Sequence, residues 1–340
     1  MKDEDIEISK LLYALRRSPL NQIIPNELFD KLLNFRPEIS KNFERFEKGF
    51  EIQYIYKYIY HAMPYVKNIN DLGQKQEEKH KKSYQVPDYT VFIENSQKEV
   101  YSLLVEVKSV ENKSSLDLMG KQVINLKKYA EVERKPFLIA IYWKQYGLWT
   151  HNCLDNFEKK GKKYKIHIEN AIKNDLSHIF GDVSFMITKP PYRKTIFDSA
   201  NMKHNMSIHE KYGEIRKVYI GNEINNLKEC EIIESAIVDS VFEMDEVDLV
   251  KEGKISTQIE VGKHNFIIIK LSIWIIRLLK MMGIPFDYRY NDVLISEYTR
   301  KLIIELTKAL DYPASFQMPF EKTPCSDEIY RLFIVKQIRD

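Results

Sequence analysis

Residues 102–110 read SLLVEVKSV. Side chains on a strand alternate between its faces. Leu103, Val105 and Val107 therefore share one face, and Leu104, Glu106 and Lys108 share the other. Apolar residues on both faces predict a strand covered on both sides, deep in a sheet. Two charges on such a strand cost free energy unless something pairs with them. The alternative is an edge strand whose Glu106–Lys108 pair discourages aggregation.

Working outward, VPDYTVFI (86–93) reads as a strand, ENSQKE (94–99) as a turn, and VYSLLVEVKSV (100–110) as the partner strand of a hairpin. Seventeen residues separate Asp88 from Glu106. A hairpin can bring Asp88, at the start of one strand, beside Glu106, near the end of the other. Two converging carboxylates form a site for a hard divalent cation. Lys108 projects on the same face as Glu106, where its ammonium can hold a water and help deprotonate it. Hydrolysis of a phosphodiester needs such a set. Taken alone, Asp88 is a turn residue after proline; at hairpin distance from VEVK it is a candidate ligand.

Pro87-Asp88, an intervening hairpin and Glu106-Val107-Lys108 resemble the PD-(D/E)xK nuclease superfamily, over roughly residues 44–151. The resemblance implies a restriction-endonuclease-like α/β fold, a mixed sheet flanked by helices. It implies that Asp88 and Glu106 bind Mg²⁺ or Mn²⁺, with the Val107 carbonyl as a further ligand, and that Lys108 positions the attacking water. Members often carry a glutamate on the helix before the hairpin. Glu51, in KGFE, fits that place, and Glu47, one turn earlier, is its rival; a solvated helix carboxylate is the alternative for Glu51. Several branches carry a glutamine on the following helix, the place of Gln122, which otherwise is a surface glutamine beside an apolar stripe. By the same resemblance the setting is restriction, phage defence, transposition, recombination or repair. Alternatives are an RNA-directed endonuclease and a binding protein that keeps the fold without cleaving.

Along the rest of the chain, helices broken by prolines are predicted up to about Phe35. NFERFEKGFEIQYIYKYIYHAM (42–63) follows with helical periodicity. Its tyrosines read as packing residues rather than as a surface for stacking bases. A polar loop is expected from Lys67 to Gln85. LDLMGKQVINLKKYAEVER (116–134) reads as an amphipathic helix, PFLIAIYW (136–143) as a buried strand and YGLWTH (146–151) as a shorter one. A helix between two strands is a crossover, so the sheet should be mixed. A domain boundary is expected within 189–205, giving a nuclease-like domain over 1–195 and a mainly helical accessory or partner-binding domain over 196–340.

Composition narrows the function. Of 340 residues, 52 are Lys or Arg and 49 Asp or Glu, so any basic site must be local. Two lysine runs offer one. Lys81 and Lys82 precede the Pro87-Asp88 strand, and Lys162 and Lys163 follow the core strands. Both runs are candidate phosphate contacts or solvated loops. Between 222 and 252 there are ten acidic and two basic residues, a composition that repels nucleic acid and suits a protein partner or a homodimer surface. The three cysteines are far apart and suggest neither a disulfide framework nor a zinc site, which suits the cytoplasm. The most apolar segment, 264–286, is interrupted by Lys270, Arg277 and Lys280 and reads as a buried helix, not a membrane span. The eight histidines form no HExxH motif, and no Walker A or GxGxxG motif is present.

Overall fold

The computed structural model describes residues 3–17, 26–34, 37–73, 83–95, 98–187, 189–200, 208–263, 267–281 and 315–317. These fall into two compact units, 3–182 and 183–281 with 315–317. The division after Asp182 precedes the stretch of altered texture in the sequence, because the strand that begins at Ser184 pairs within the second unit.

The first unit opens with α1 (Asp3–Arg17), α2 (Asn26–Asn34) and α3 (Pro37–His61). Pro37 starts α3, where a missing N–H is harmless, and Pro64 follows its end. Next come β1 (Val66–Asp71), β2 (Tyr89–Glu94), β3 (Val100–Val110), β4 (Ser115–Met119), α4 (Gly120–Glu133), β5 (Phe137–Trp143) and β6 (Leu148–Asn152). The unit closes with β7 (Glu158–Lys160), β8 (Lys163–His167) and α5 (Ile168–Lys173). The main sheet has the order β1-β2-β3-β5-β6. β3 and β5 are parallel and joined through α4; the other neighbours are antiparallel. The fold is thus mixed α/β. SLLVEVKSV lies on the central strand, so the edge-strand reading of Glu106 and Lys108 is set aside.

Two local expectations change. The loop expected from Lys67 begins instead as β1, an edge strand that buries only Val66 and Ile69 and so lacks strict alternation. The helix expected from Leu116 begins at Gly120. Leu116 and Leu118 alternate inward on β4, which imitates the first turn of a helical stripe. A Cβ on Gly120 would stand 2.9 Å from the Lys162 carbonyl, which accepts the Gly120 N–H at 2.8 Å. The β7–β8 hairpin, turning on Gly161 with φ 61°, is therefore clamped to the start of α4.

The sheet is covered on both faces. On one side Val110, Ile139, Ile141 and Trp143 pack with Val123 of α4 and with Leu116, Leu118 and Ile166. On the other lie the tyrosines of α3: Tyr56 is 4.5 Å from Tyr60 and 5.4 Å from Trp149, ring centre to ring centre. Tyr56 lies 3.2 Å from His151 Nε2, and Tyr60 donates to Asp182 at 2.7 Å. His151 is thus a satisfied core histidine, and the tyrosines are packing residues. Ile141, fully buried beside Lys108 in register, carries the first expected result. Ile141→Ala should lower the unfolding free energy by about 2–5 kcal/mol, read from urea denaturation.

The second unit comprises β9 (Ser184–Ile187), β10 (Tyr192–Asp198), β11 (Ile208–His209), β12 (Gly213–Gly221), β13 (Lys228–Cys230), α6 (Ile232–Val241), β14 (Met244–Glu252), β15 (Ile255–Gly262), β16 (Ile267–Lys270), α7 (Leu271–Met281) and β17 (Ser315–Gln317). A six-stranded sheet runs β11-β12-β10-β15-β14 with β13 on β12, and β9 pairs with β16 and β17. The described part is therefore strand-rich; of the domain expected to be mainly helical, 282–314 and 318–340 lie outside the described residues. Register shifts at Ile196/Phe197 and Glu246/Asp248 break the period-2 pattern, and most of β14 is exposed, so its acidic sequence carries no apolar alternation. The 264–286 segment divides into β16 and α7 where it is described. Among the described residues no helix is long and apolar enough to cross a membrane. Cys230 is a free thiol.

Candidate active site

The site is built at the C-terminal half of β3. The last paired residues of the β2–β3 ladder are Tyr89 and Val105, so Asp88 stands one step beyond, opposite Glu106. Its carboxylate caps the strand: Oδ2 accepts the Val107 N–H at 2.8 Å. Oδ1 accepts the side-chain amide of Gln53, on α3, at 2.7 Å.

Glu106 is 3% exposed on the opposite side of the sheet from α3. Its Oε1 receives the Lys108 ammonium and the amides of Gln85 at 3.3 Å and Gln122 at 3.5 Å. Gln122 stands in the first turn of α4, just beyond Gly120. Gln85 precedes Pro87-Asp88 and is tied to α4 through its N–H to the Asn125 carbonyl, 3.3 Å.

The electrostatics follow from this crowding. Asp88 is pushed up to about 7, first by burial and then by the neighbouring charge of Glu106. Lys108, the Val107 N–H and Lys10 of α1 oppose the shift and are outweighed. Burial works against the Lys108 ammonium, but Glu106 and Asp88 overcome it and hold the amine above its ordinary range. A buried carboxylate pair balanced by a single lysine retains excess negative charge, which a dication can offset.

The structure thus brings Asp88, Glu106, Lys108 and Gln122 together. Glu47 instead pairs with Arg16 at 3.0 Å, and Glu51 makes no hydrogen bond or ion pair among the described residues. Glu51 acts on Tyr142, whose hydroxyl is raised by burial and then, against Lys144, by the Glu51 charge. Two residues along a helix rotate a side chain by roughly 200°, so Gln53 and Glu51 point to different faces. Among the described residues no group of three His, Cys, Asp or Glu side chains converges on a metal-sized space.

Lys162 and Lys163 are exposed on the β7–β8 hairpin, and Lys163 pairs with Asp117 at 3.4 Å. Lys81 and Lys82 lie outside the described residues. Gln53 and Gln85 escaped the sequence reading because glutamine has no metal-ligand signature. Their only signal was position, two residues after Glu51 and three before Asp88.

No protein-family model matches the sequence, and no curated protein matches it. Among solved structures the chain is similar to Hjc, a Holliday junction resolvase from the archaeal hyperthermophile Archaeoglobus fulgidus. The TM-score is 0.26 with 17% identity, over 34% of this chain and 85% of that one. A likeness of that size leaves the reading to the residues themselves.

Proposed function

We propose that the first unit is a metal-dependent nuclease of the PD-(D/E)xK type, with a restriction-endonuclease-like core, that hydrolyses phosphodiester bonds in DNA. The observation that carries the reading is the meeting of Asp88 and Glu106 at the end of one hairpin, with Lys108 on Glu106, on the central strand of a covered sheet. A charged triad in that position has no packing role that an apolar residue would not fill better.

The donor set fits Mg²⁺ or Mn²⁺. Asp88 and Glu106 offer hard oxygen ligands, and the Val107 carbonyl is a third candidate. Mg²⁺ commonly takes one or two carboxylates and completes its octahedron with water and substrate oxygens, so a site of two carboxylates suffices. When bound, the ion neutralises charge on the phosphoryl oxygens and acidifies water.

The chain's own residues do the remaining work. Gln53 and the Val107 N–H fix the Asp88 carboxylate. Gln85 and Gln122 fix Glu106. Lys108, held against Glu106, positions the attacking water and donates to its developing charge. Lys162 and Lys163 supply phosphate contacts beside α4.

The test is direct binding of Mn²⁺, followed by calorimetry or by the electron paramagnetic resonance of free ion. The parent binds the ion, and Asp88→Asn loses it; equal binding by both would sink the assignment. Gln53→Glu places a third carboxylate against Asp88, and ligand charge governs affinity for hard cations. Its Mn²⁺ affinity should rise by about tenfold at pH 8, one decade corresponding to roughly 1.4 kcal/mol.

A further inference from the structure

Immediately beyond Lys108 the chain bends from β3 into β4 and encloses a groove of about 500 Å³, lined by Ser109, Glu111, Asn112, Lys113, Ser115 and Asp117. A groove of that size can hold a nucleotide-sized group. Strand residues advance roughly 3.3 Å each, so the groove opens one residue past Lys108 and Glu111 stands about 10 Å from it. One strand of a duplex advances roughly 3.4 Å per nucleotide, so that span matches the first three nucleotides beside the cut. The far wall meets the basic hairpin, where Asp117 pairs with Lys163 at 3.4 Å. The groove thus lies between the lysine assigned to the water and a lysine assigned to phosphate. Its walls are unequally committed. Glu111 is held by Lys144 at 3.1 Å. The side chains of Asp117 and Lys163 are 44% and 53% exposed; such pairs contribute little, so Asp117 can exchange its partner for a ligand. Asn112 and Lys113 are exposed, and neither side chain makes a hydrogen bond or ion pair among the described residues.

Resting on the nuclease reading above, we propose that this groove seats a base within three nucleotides of the scissile phosphate, with Lys113 on the adjoining phosphate and Asp117 accepting from the exocyclic amino group of the base. Segment 109–117 is then the wall of the cleft that sets sequence preference. Asn112 and Ser115 complete its polar edge, each able to donate and to accept. Thymine is the DNA base without an exocyclic amino group, so the groove discriminates against it. The tasks divide: Lys113 supplies affinity that does not depend on sequence, and Asp117 supplies the discrimination.

The experiment compares the parent, Asp117→Asn, Lys113→Gln and Lys128→Gln, an exposed lysine on α4. Each digests a duplex DNA library of randomised sequence in Mg²⁺, the product ends are sequenced, and initial rates are measured on one well-cut duplex. The parent should deplete thymine about 5- to 10-fold at one position within three nucleotides of the cut, the effect of one hydrogen bond to a charged group. Asp117→Asn should lose that depletion, because an amide both donates and accepts. Lys113→Gln should keep the depletion and raise KM about 5-fold with little change in kcat. Lys128→Gln should match the parent in both. A merely structural Asp117 would shift the melting temperature and leave the product ends unchanged. Product ends without thymine depletion, depletion that persists in Asp117→Asn, or a parental KM in Lys113→Gln overturns the proposal and leaves the nuclease reading standing. A parent that cuts nothing ends the nuclease reading and takes the proposal with it.

Discussion

Lys108→Ala should slow single-turnover DNA cleavage by about 10²- to 10³-fold, the range for losing one donor that stabilises developing charge. Three observations set this size. Lys108 contacts Glu106 directly, it is held charged by Glu106 and Asp88, and its side chain is 26% exposed, so it can still reach a water. The same substitution leaves Glu106 buried with the Gln85 and Gln122 amides but without its cation. Metal-free stability should therefore fall as activity does, because removing one partner of a buried pair leaves the other charge uncompensated. Lys108→Arg should restore stability better than rate, since a guanidinium keeps the charge but replaces the compact ammonium that holds the water with a broader planar fork. Unchanged cleavage by Lys108→Ala would remove the water-positioning role.

The second large effect concerns Asp88 and pH. Its folded value, about 7, lies above the ordinary carboxyl value of 3.8. A group raised on folding contributes its stability in full below the unfolded value and loses it as pH rises through the folded one. The metal-free protein should thus be most stable, as far as this group goes, below about pH 4, and lose on the order of 4 kcal/mol by pH 8. Bound Mg²⁺ favours the ionised carboxylate, so it should stabilise most at high pH and release a proton near neutrality. Thermal melts in chelator from pH 5 to pH 8 should show a falling midpoint that added Mg²⁺ restores. In Asp88→Asn both the slope over this range and the Mg²⁺ response should be lost. A parent midpoint independent of pH and of Mg²⁺ would contradict the account.

The elements that position the site were legible because their hydrophobic patterns are strong. β3 and β5 are apolar on both faces, α3 repeats its buried aromatics at helical spacing, and the hairpin has a polar turn. Hairpin geometry brought Asp88 to Glu106 and Lys108, whereas Gln122 was picked only by the family resemblance, on a helix expected to start at Leu116 rather than at Gly120. Pattern reading failed where burial is sparse. β1 buries two residues of six, and β14 is an acidic strand with most side chains in water. The family resemblance pointed to Glu51 or Glu47 as a further carboxylate and gave no place to Gln53, the residue of α3 that meets Asp88 because of how α3 packs against the sheet.

The central claim is tested most directly by incubating the purified chain with linear duplex, single-stranded and branched DNA and with RNA, in Mg²⁺, in Mn²⁺ and in chelator. The account predicts cutting of DNA that requires the metal and is lost in Asp88→Asn. Cutting of RNA alone would move the substrate and keep the chemistry. Intact substrates throughout, or cutting that persists in chelator, would contradict it.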